Sequence, residues 1–404
     1  MANCRFCSAE LKEVFADLGV SPLANSYLRE DQLSRMEPHY PLKAWVCGTC
    51  MLVQLEEYES PSGIFSDYAY FSSFSTSWLA HAERYVKAMI ARFGFDSKSQ
   101  VVEIASNDGY LLQYFQAAGV PVLGIEPAAN VAQAAIAKGI PSRTVFFGRD
   151  TARDLQADLL IGNNVYAHVP DLHSFTEGLR VALKADGVIT LEFPHLLRLM
   201  EEAQFDTIYH EHFSYFSLIT VQQVFARHEL TVFDVEELPT HGGSLRVFGK
   251  HSANTTHAVT PNVGRVIANE RAAGLDNLES YRSFAEKVRR VKCDVLEFLI
   301  GARRQGKTVV GYGAPAKGNT LLNYCGVGPE LLAYTVDRSP HKQNQYLPGT
   351  RIPIRAPEAI LESRPDYVMI LPWNLKDEIT EQMSAIRSWG GKFVVAIPSL
   401  EVLA

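Results

Sequence analysis

Gln100–Pro127 reads QVVEIASNDGYLLQYFQAAGVPVLGIEP, and this stretch decides the fold. Val101-Val102-Glu103-Ile104-Ala105 is an apolar run of the kind that forms a buried parallel strand. Ser106-Asn107-Asp108-Gly109 is a tight polar turn, in which Gly109 permits a backbone conformation or close approach that a side chain would forbid. Tyr110–Phe115 opens an amphipathic helix that stops near Gly119. Val122–Ile125 is a second apolar strand, closed by Glu126. Strand, turn, helix and strand, with an acid ending the second strand, is how doubly wound sheets seat an adenosine.

Ala105 and Asn107 stand where the first two glycines of a dinucleotide fingerprint would be, and no lysine–glycine cluster here could cradle a triphosphate. A cofactor with a carboxylate, an amine and a sulfonium but no pyrophosphate fits better, which describes S-adenosylmethionine. The residues expected around it are Glu103, Ala105, Asn107, Gly109, Tyr110, Leu111, Glu126 and Pro127, joined by Asn163 and Asn164 from a later strand end. The competing reading of the turn alone is an ordinary βαβ crossover without a ligand.

Upstream, Cys4-Arg-Phe-Cys7 and Cys47-Gly-Thr-Cys50 are two knuckles, each able to present two thiolates to one tetrahedral Zn²⁺. Two disulfides or idle thiols are the alternative; paired C-x-x-C motifs in a reducing compartment favour metal. A thioredoxin-like role does not fit, because neither pair sits at a strand–helix junction. With four protein ligands the site would be closed and structural. The segment between the knuckles, with Pro22, Pro38 and Pro41, reads as irregular and in need of a staple. Gly63–Ser77 is rich in aromatic and hydroxyl side chains; Tyr68, Tyr70 and Phe71 either pack between domains or hang as a lid over the next one. Trp78–Phe93 repeats apolar positions at helical spacing.

Downstream, strands at Ser142–Phe146, Asp158–Gly162 and Gly187–Phe193 alternate with helices at Asn130–Lys138 and Leu172–Leu183, the rhythm of a parallel sheet with right-handed crossovers. Asn107, Glu126, Asn164, His168 and Glu192 all fall near strand carboxyl ends, where such sheets bind ligands. Tyr209-His210-Glu211-His212 then sets four ionisable or phenolic groups in a row between apolar residues. A lone buried histidine is more often a hydrogen-bonded core residue, and a metal site from His210 and His212 lacks an evident third ligand. The cluster suits proton chemistry: a near-neutral base with a tyrosine hydroxyl to hold an oxyanion. Thr231–Glu237 and Ser244–Lys250 read as an antiparallel edge pair across Thr240-His241-Gly242-Gly243, and residues 264–305 as a long helical connector. Lys307 begins another βαβ unit, whose glycine-bearing turn with Lys317 and Asn319 at a helix amino end suits a phosphate. The alternative is a nucleotide fold kept only for packing.

The length of 404 residues allows two or three domains, and a net charge of −7 argues against electrostatically driven nucleic-acid or membrane binding. The amino terminus carries no apolar signal core and no stretch approaches membrane-spanning length, so a cytoplasmic protein is expected.

Knuckles, adenosine motif, Tyr209-His-Glu-His212 and a second Rossmann-like unit, in that order over essentially the whole chain, resemble the nucleotide-sugar C-methyltransferases that act on 4-keto-deoxysugars. The resemblance implies an α/β protein in three parts: a zinc-binding domain at 1–65, a class I methyltransferase domain binding S-adenosylmethionine at 66–255, and a Rossmann-like nucleotide-sugar domain at 256–404. It implies His212 as general base, Glu211 as its partner or an alternative base, Tyr209 as a hydrogen-bonding or proton-handling group, and His168 and Tyr70 as further active-site positions. The substrate-facing set expected is Tyr68, Phe71, Phe193, His210, His241, Lys317, Asn319, Asp337, His341 and Tyr346. The expected reaction is methylation of a nucleotide-linked 4-keto-sugar, most simply at C3, by a monomer. O- or N-methylation of a nucleotide sugar, or a non-catalytic scaffold that binds one, are the rivals.

Overall fold

The computed structural model describes residues 2–60, 63, 71–74 and 76–403; Tyr68 and Tyr70 lie outside the described residues. The chain forms three sheets. The first begins with β1 (Glu13–Ser21), β2 (Tyr40–Val46) and β3 (Val53–Leu55), paired antiparallel in that order. The expectation of an irregular knuckle segment is thus corrected. Its strands were hidden by two register shifts in β1, between Val14 and Ala16 and between Asp17 and Val20, which break the alternation that marks a strand.

After α1 (Thr76–Phe93) the second sheet is built from β4 (Val101–Ile104), α2 (Leu112–Ala117), β5 (Val122–Ile125), α3 (Ala129–Ala137), β6 (Ser142–Arg143), β7 (Ala157–Asn163), α4 (Leu172–Ala182) and β8 (Leu183–Pro194). Next come α5 (Leu196–Glu201), β9 (Ser214–Tyr215), α6 (Leu218–Arg227), β10 (Leu230–Leu238) and β11 (Ser244–His251). The strand order is β10-β11-β8-β7-β4-β5-β6, parallel except for the antiparallel β10–β11 edge. Burial on both faces follows the two-residue period: Val102, Ile104 and Leu160 face one apolar cluster, Val101, Leu159 and Ile161 the other. β9 does not join this sheet. It pairs with β3, register Val53↔Tyr215, and becomes the fourth strand of the first sheet.

The expected long connector is three helices, α7 (Pro261–Ala272), α8 (Leu278–Arg282) and α9 (Phe284–Arg304). Gly274 ends α7 with φ +81°, and Asn277 caps α8 by accepting from the Glu279 N–H. The third sheet contains β12 (Val309–Tyr312), β13 (Thr335–Val336), β14 (Ile354–Arg355), β15 (Tyr367–Ile370), β16 (Lys392–Val395) and β17 (Glu401–Leu403), in the order β14-β13-β12-β15-β16-β17. Between β12 and β13 runs α10 (Ala316–Cys325). This sheet and the first share one apolar cluster, in which Phe15 of β1 stacks on Phe284 of α9 at 4.4 Å between centroids. Among the described residues no helix is long and apolar enough to cross a membrane.

Candidate functional site

The four knuckle sulfurs converge. Cys4, Cys7, Cys47 and Cys50 place their Sγ atoms within 4.8 Å of one another, with Cys4–Cys50 at 3.6 Å and Cys7–Cys47 at 3.4 Å. Those separations exclude disulfides, and a tetrahedral Zn²⁺ with Zn–S near 2.3 Å sets its sulfurs about 3.8 Å apart. The donor set fits zinc. Arg5, inside the first knuckle, donates to the Pro170 carbonyl at 2.7 Å and to the Leu55 carbonyl, fastening the cluster to the second sheet's rim.

The turn after β4 takes the shape its sequence hides. Ala105 and Asn107 adopt φ +54° and +50°, the left-handed backbone for which glycine is the usual choice, and Asn164 after β7 does the same at +54°. Each costs about 1–2 kcal/mol, strain of the sort kept at binding sites. Gly109 has φ +76°, and a Cβ there would lie 2.9 Å from Ile140. Glu126 accepts the Asn107 N–H through Oε2 and the Ala128 N–H through Oε1, both at 2.9 Å. Each carboxylate oxygen retains a lone pair for a hydroxyl. Burial raises the pKa of Glu126 and pushes that of Glu103 well above the usual range. Around this rim Glu103 Oε2, Ser106 Oγ, Asn163 Oδ1 and Asn164 Oδ1 are buried with no hydrogen-bond partner among the described residues. Three carbonyl or carboxyl oxygens and a hydroxyl match a ligand rich in donors: an amine, ribose hydroxyls and an adenine amino group. S-adenosylmethionine fits. Tyr110 and Leu111 are buried behind the turn, and Pro127 is half-buried beside Glu126.

The Tyr209–His212 loop lies at the same edge of the sheet. Phe213 N–H donates to the Ala167 carbonyl at 2.7 Å, and the His168 and His212 rings meet edge to face at 4.7 Å. His212 Nδ1–H donates to the Thr207 carbonyl at 2.9 Å, which leaves Nε2 as the basic nitrogen; it accepts the Tyr209 O–H at 2.8 Å. Burial, then the neighbouring His168, holds the His212 pKa well below its ordinary value, and burial brings His168 to about 4. Both rings are neutral at pH 7. Glu211 is 3% exposed and accepts from Asn25 Nδ2 at 2.7 Å; burial, only partly offset by that bond, pushes its carboxyl up to about 7. His210 turns the other way, donating to the Pro41 carbonyl at 3.1 Å.

From the third sheet's turn, Lys317 reaches in. Its Nζ donates to Asn374 Oδ1 at 2.8 Å and stands 4.5 Å over the Trp373 ring. Trp373 Nε1–H donates to Asp206 at 2.7 Å, and burial, eased by Lys317, brings that carboxyl to about 6. The positive field of Lys317 reaches His212 and His241. His241 sits at φ +55°, 5.4 Å from Trp78.

Other expected contacts lie elsewhere. Phe193 is fully buried against Tyr166 and Phe216; next to the rim residue Glu192 in the strand, it faces the opposite side and belongs to the core. Asn319 donates to the Ala24 carbonyl at 2.6 Å while its Oδ1 is buried with no hydrogen-bond partner among the described residues, and Asp337 accepts the Ala314 and Ser339 N–H groups. Tyr346 exchanges backbone bonds with Leu28; His341 lies exposed against Phe71 and Phe74. Glu192, held at about 2 against its burial by His81 and Arg246, has both oxygens engaged. Asn25, Asp206 and Trp373 were not legible as site residues: each meets its partner across the fold, with no local pattern to mark it.

A parallel sheet with an adenosine-type rim, next to a four-thiolate metal site, defines a methyltransferase of the α/β class. Comparisons with known proteins agree. Residues 4–65 match a zinc binding domain, 78–235 a methyltransferase domain and 239–398 a C-methyltransferase C-terminal domain. The chain is 36% identical over 407 residues to the C-methyltransferase NovU of Streptomyces niveus, covering 100% of this chain and 97% of that one. Solved structures that match about two fifths of the chain include magnesium protoporphyrin IX methyltransferase of Synechocystis with bound SAM (13% identity, 42% of this chain and 78% of that one, TM-score 0.33) and a SAM-dependent methyltransferase of Anabaena variabilis (16%, 43% and 86%, TM-score 0.34). This chain belongs to the C-methyltransferase family, and its cofactors are S-adenosylmethionine and zinc.

Proposed function

We propose that this enzyme methylates carbon C3 of a nucleotide-linked 4-keto-deoxysugar through an enolate. The observation that carries the reading is His212: neutral, fixed by the Thr207 carbonyl in the tautomer with a basic Nε2, and facing the Tyr209 hydroxyl at the sheet's ligand-binding edge. Family membership sets aside O- and N-methylation and leaves a carbon acceptor, which must first become nucleophilic. A proton beside a ketone is the accessible one, because the anion spreads onto the carbonyl oxygen.

In this reading His212 Nε2 takes the C3 proton and becomes imidazolium, while the C–H electron pair moves into the C3–C4 bond and charge onto the C4 oxygen. Tyr209 turns its O–H from His212 to that oxygen. S-adenosylmethionine, held at the Glu126 rim, would supply the electrophilic methyl group: the C3 electron pair would form the new C–C bond as the S–CH3 bond breaks with its pair left on sulfur, giving the neutral thioether S-adenosylhomocysteine, and the C4 carbonyl re-forms. His212 then yields its proton to solvent. His168 packs against the His212 ring, and Lys317 supplies positive charge for the nucleotide diphosphate. Tyr70, with Tyr68, keeps its proposed place at the substrate. A second reading, favoured by a carboxyl poised at about 7, makes Glu211 the base. The proposed domains remain 1–65, 66–255 and 256–404. The proposed setting is the cytoplasm, which suits four reduced thiolates, with a monomer as the working unit.

The test is solvent exchange. Incubating the enzyme with a 4-keto-sugar nucleotide in deuterated water, without cofactor, should place deuterium on the carbon next to the ketone. Methylation at an oxygen of the 4-hydroxy sugar, with no exchange on the ketone, would overturn the reading. On the cofactor side, Glu126→Ala should weaken S-adenosylmethionine binding roughly 10- to 100-fold by calorimetry, with zinc content unchanged.

A further inference from the structure

The segment Ala24–Leu28 leaves the first sheet and crosses the molecule between its other two parts. On one side it is pinned to the third sheet's unit. The Ala24 carbonyl takes Asn319 Nδ2–H, Tyr27 O–H donates to the Ala314 carbonyl, and Leu28 exchanges two backbone bonds with Tyr346 at 2.9 and 2.8 Å. On the other side it presents a single polar group, the Asn25 amide, to Glu211 Oε1 at 2.7 Å. A loop held this firmly fixes where the amide points.

We infer that Asn25 is a positioning residue for methyl transfer: its amide orients the Glu211 carboxyl group and favours its ionised form, so the zinc-holding part of the chain acts on the reaction as well as on the fold. This rests on the reading that Glu211 takes part in proton transfer. The surroundings leave Asn25 little competition. His210 and His212, on the same loop as Glu211, turn to the Pro41 and Thr207 carbonyls. His168 meets the Glu211 backbone rather than its carboxylate. Tyr27 stands near enough to feel the Glu211 charge, and its ring lies under Lys342 at 5.2 Å, whose Nζ is itself 3.9 Å from Asp337. Among the described residues the Asn25 donor is the one side-chain hydrogen bond to the carboxylate, opposing a burial that favours the neutral acid.

The experiment uses the full chain with its zinc, as wild type, Asn25→Ala, Asn25→Asp and Glu211→Gln. Infrared pH titration follows the protonated carboxyl band that Glu211→Gln removes, and kcat/KM is measured over the same pH range. Losing one hydrogen bond to a charged group should move the midpoint in Asn25→Ala up by about one pH unit or more, carrying the acid limb of kcat/KM with it. Activity then falls roughly tenfold below the wild-type midpoint and recovers at alkaline pH. Asn25→Asp, which keeps the side-chain volume and serves where truncation disturbs the loop, should move the midpoint further in the same direction. An unmoved band in both Asn25 variants overturns the inference while leaving Glu211 in the mechanism. A Glu211→Gln enzyme with full rate and an unchanged acid limb removes Glu211 from the reaction, and the positioning role with it, even where the band moves.

Discussion

His212→Gln should abolish methyl transfer and deuterium exchange together, by about 10²- to 10⁴-fold, while S-adenosylmethionine binds as before. The expectation follows from the wiring of the ring. The Thr207 carbonyl accepts a hydrogen bond from Nδ1–H, so the ring's basic lone pair is on Nε2, and Nε2 points at Tyr209. Glutamine fills much of the space and can still hydrogen-bond to Thr207 and Tyr209. It cannot accept a proton from carbon. Tyr209→Phe should lose less, because it removes the group that holds the oxyanion and spares the base. The measurement that matters is exchange without cofactor, since it isolates proton removal from methyl transfer. If His212→Gln exchanges at the wild-type rate and Glu211→Gln does not, the base is Glu211.

The second large effect concerns metal. Cys50→Ser should lower zinc from about one ion per chain to nearly none and leave the chain poorly folded. Structural zinc is worth roughly 10–16 kcal/mol in isolated zinc-finger peptides, against a typical whole-protein stability of about 5–15 kcal/mol. The loss would not stay local here. Cys4, Cys47 and Cys50 lie in the same apolar cluster as one face of the second sheet, and Arg5 bonds to the rim at Pro170. Elemental analysis and a thermal melt check this. A Cys50→Ser protein that keeps both its zinc and its melting temperature would show that three thiolates suffice.

How much of this could be read from the residues alone depends on the range of the interactions. Val122–Ile125 occupies the very residues its apolar run predicts, and Val101–Ile104 falls one residue short, because a strand buried on both faces carries its own signal. The Cys pairs were equally plain. Gly274 was passed over inside a helical pattern, although a left-handed residue there ends α7. The first sheet was missed because its long strand is bulged twice and its fourth strand arrives from Ser214–Tyr215, far down the chain. At the site, Tyr209–His212 stood out as an ionisable run, but its directions did not: the sequence does not say that His210 looks away or that Phe193 faces the core. Asn25 lies 186 positions from Glu211 in a loop without periodicity, and only folding brings them together.

The pairing of β9 with β3 has a practical side for anyone recombining such enzymes to change what they methylate. A crossover placed after the first sixty residues would seat one parent's Ser214–Tyr215 against another parent's Val53–Gln54, directly behind the reactive loop. Chimaeras should therefore work best when the metal-bearing head and the segment from Tyr209 to Tyr215 are inherited from the same parent, as though they were one contiguous cassette.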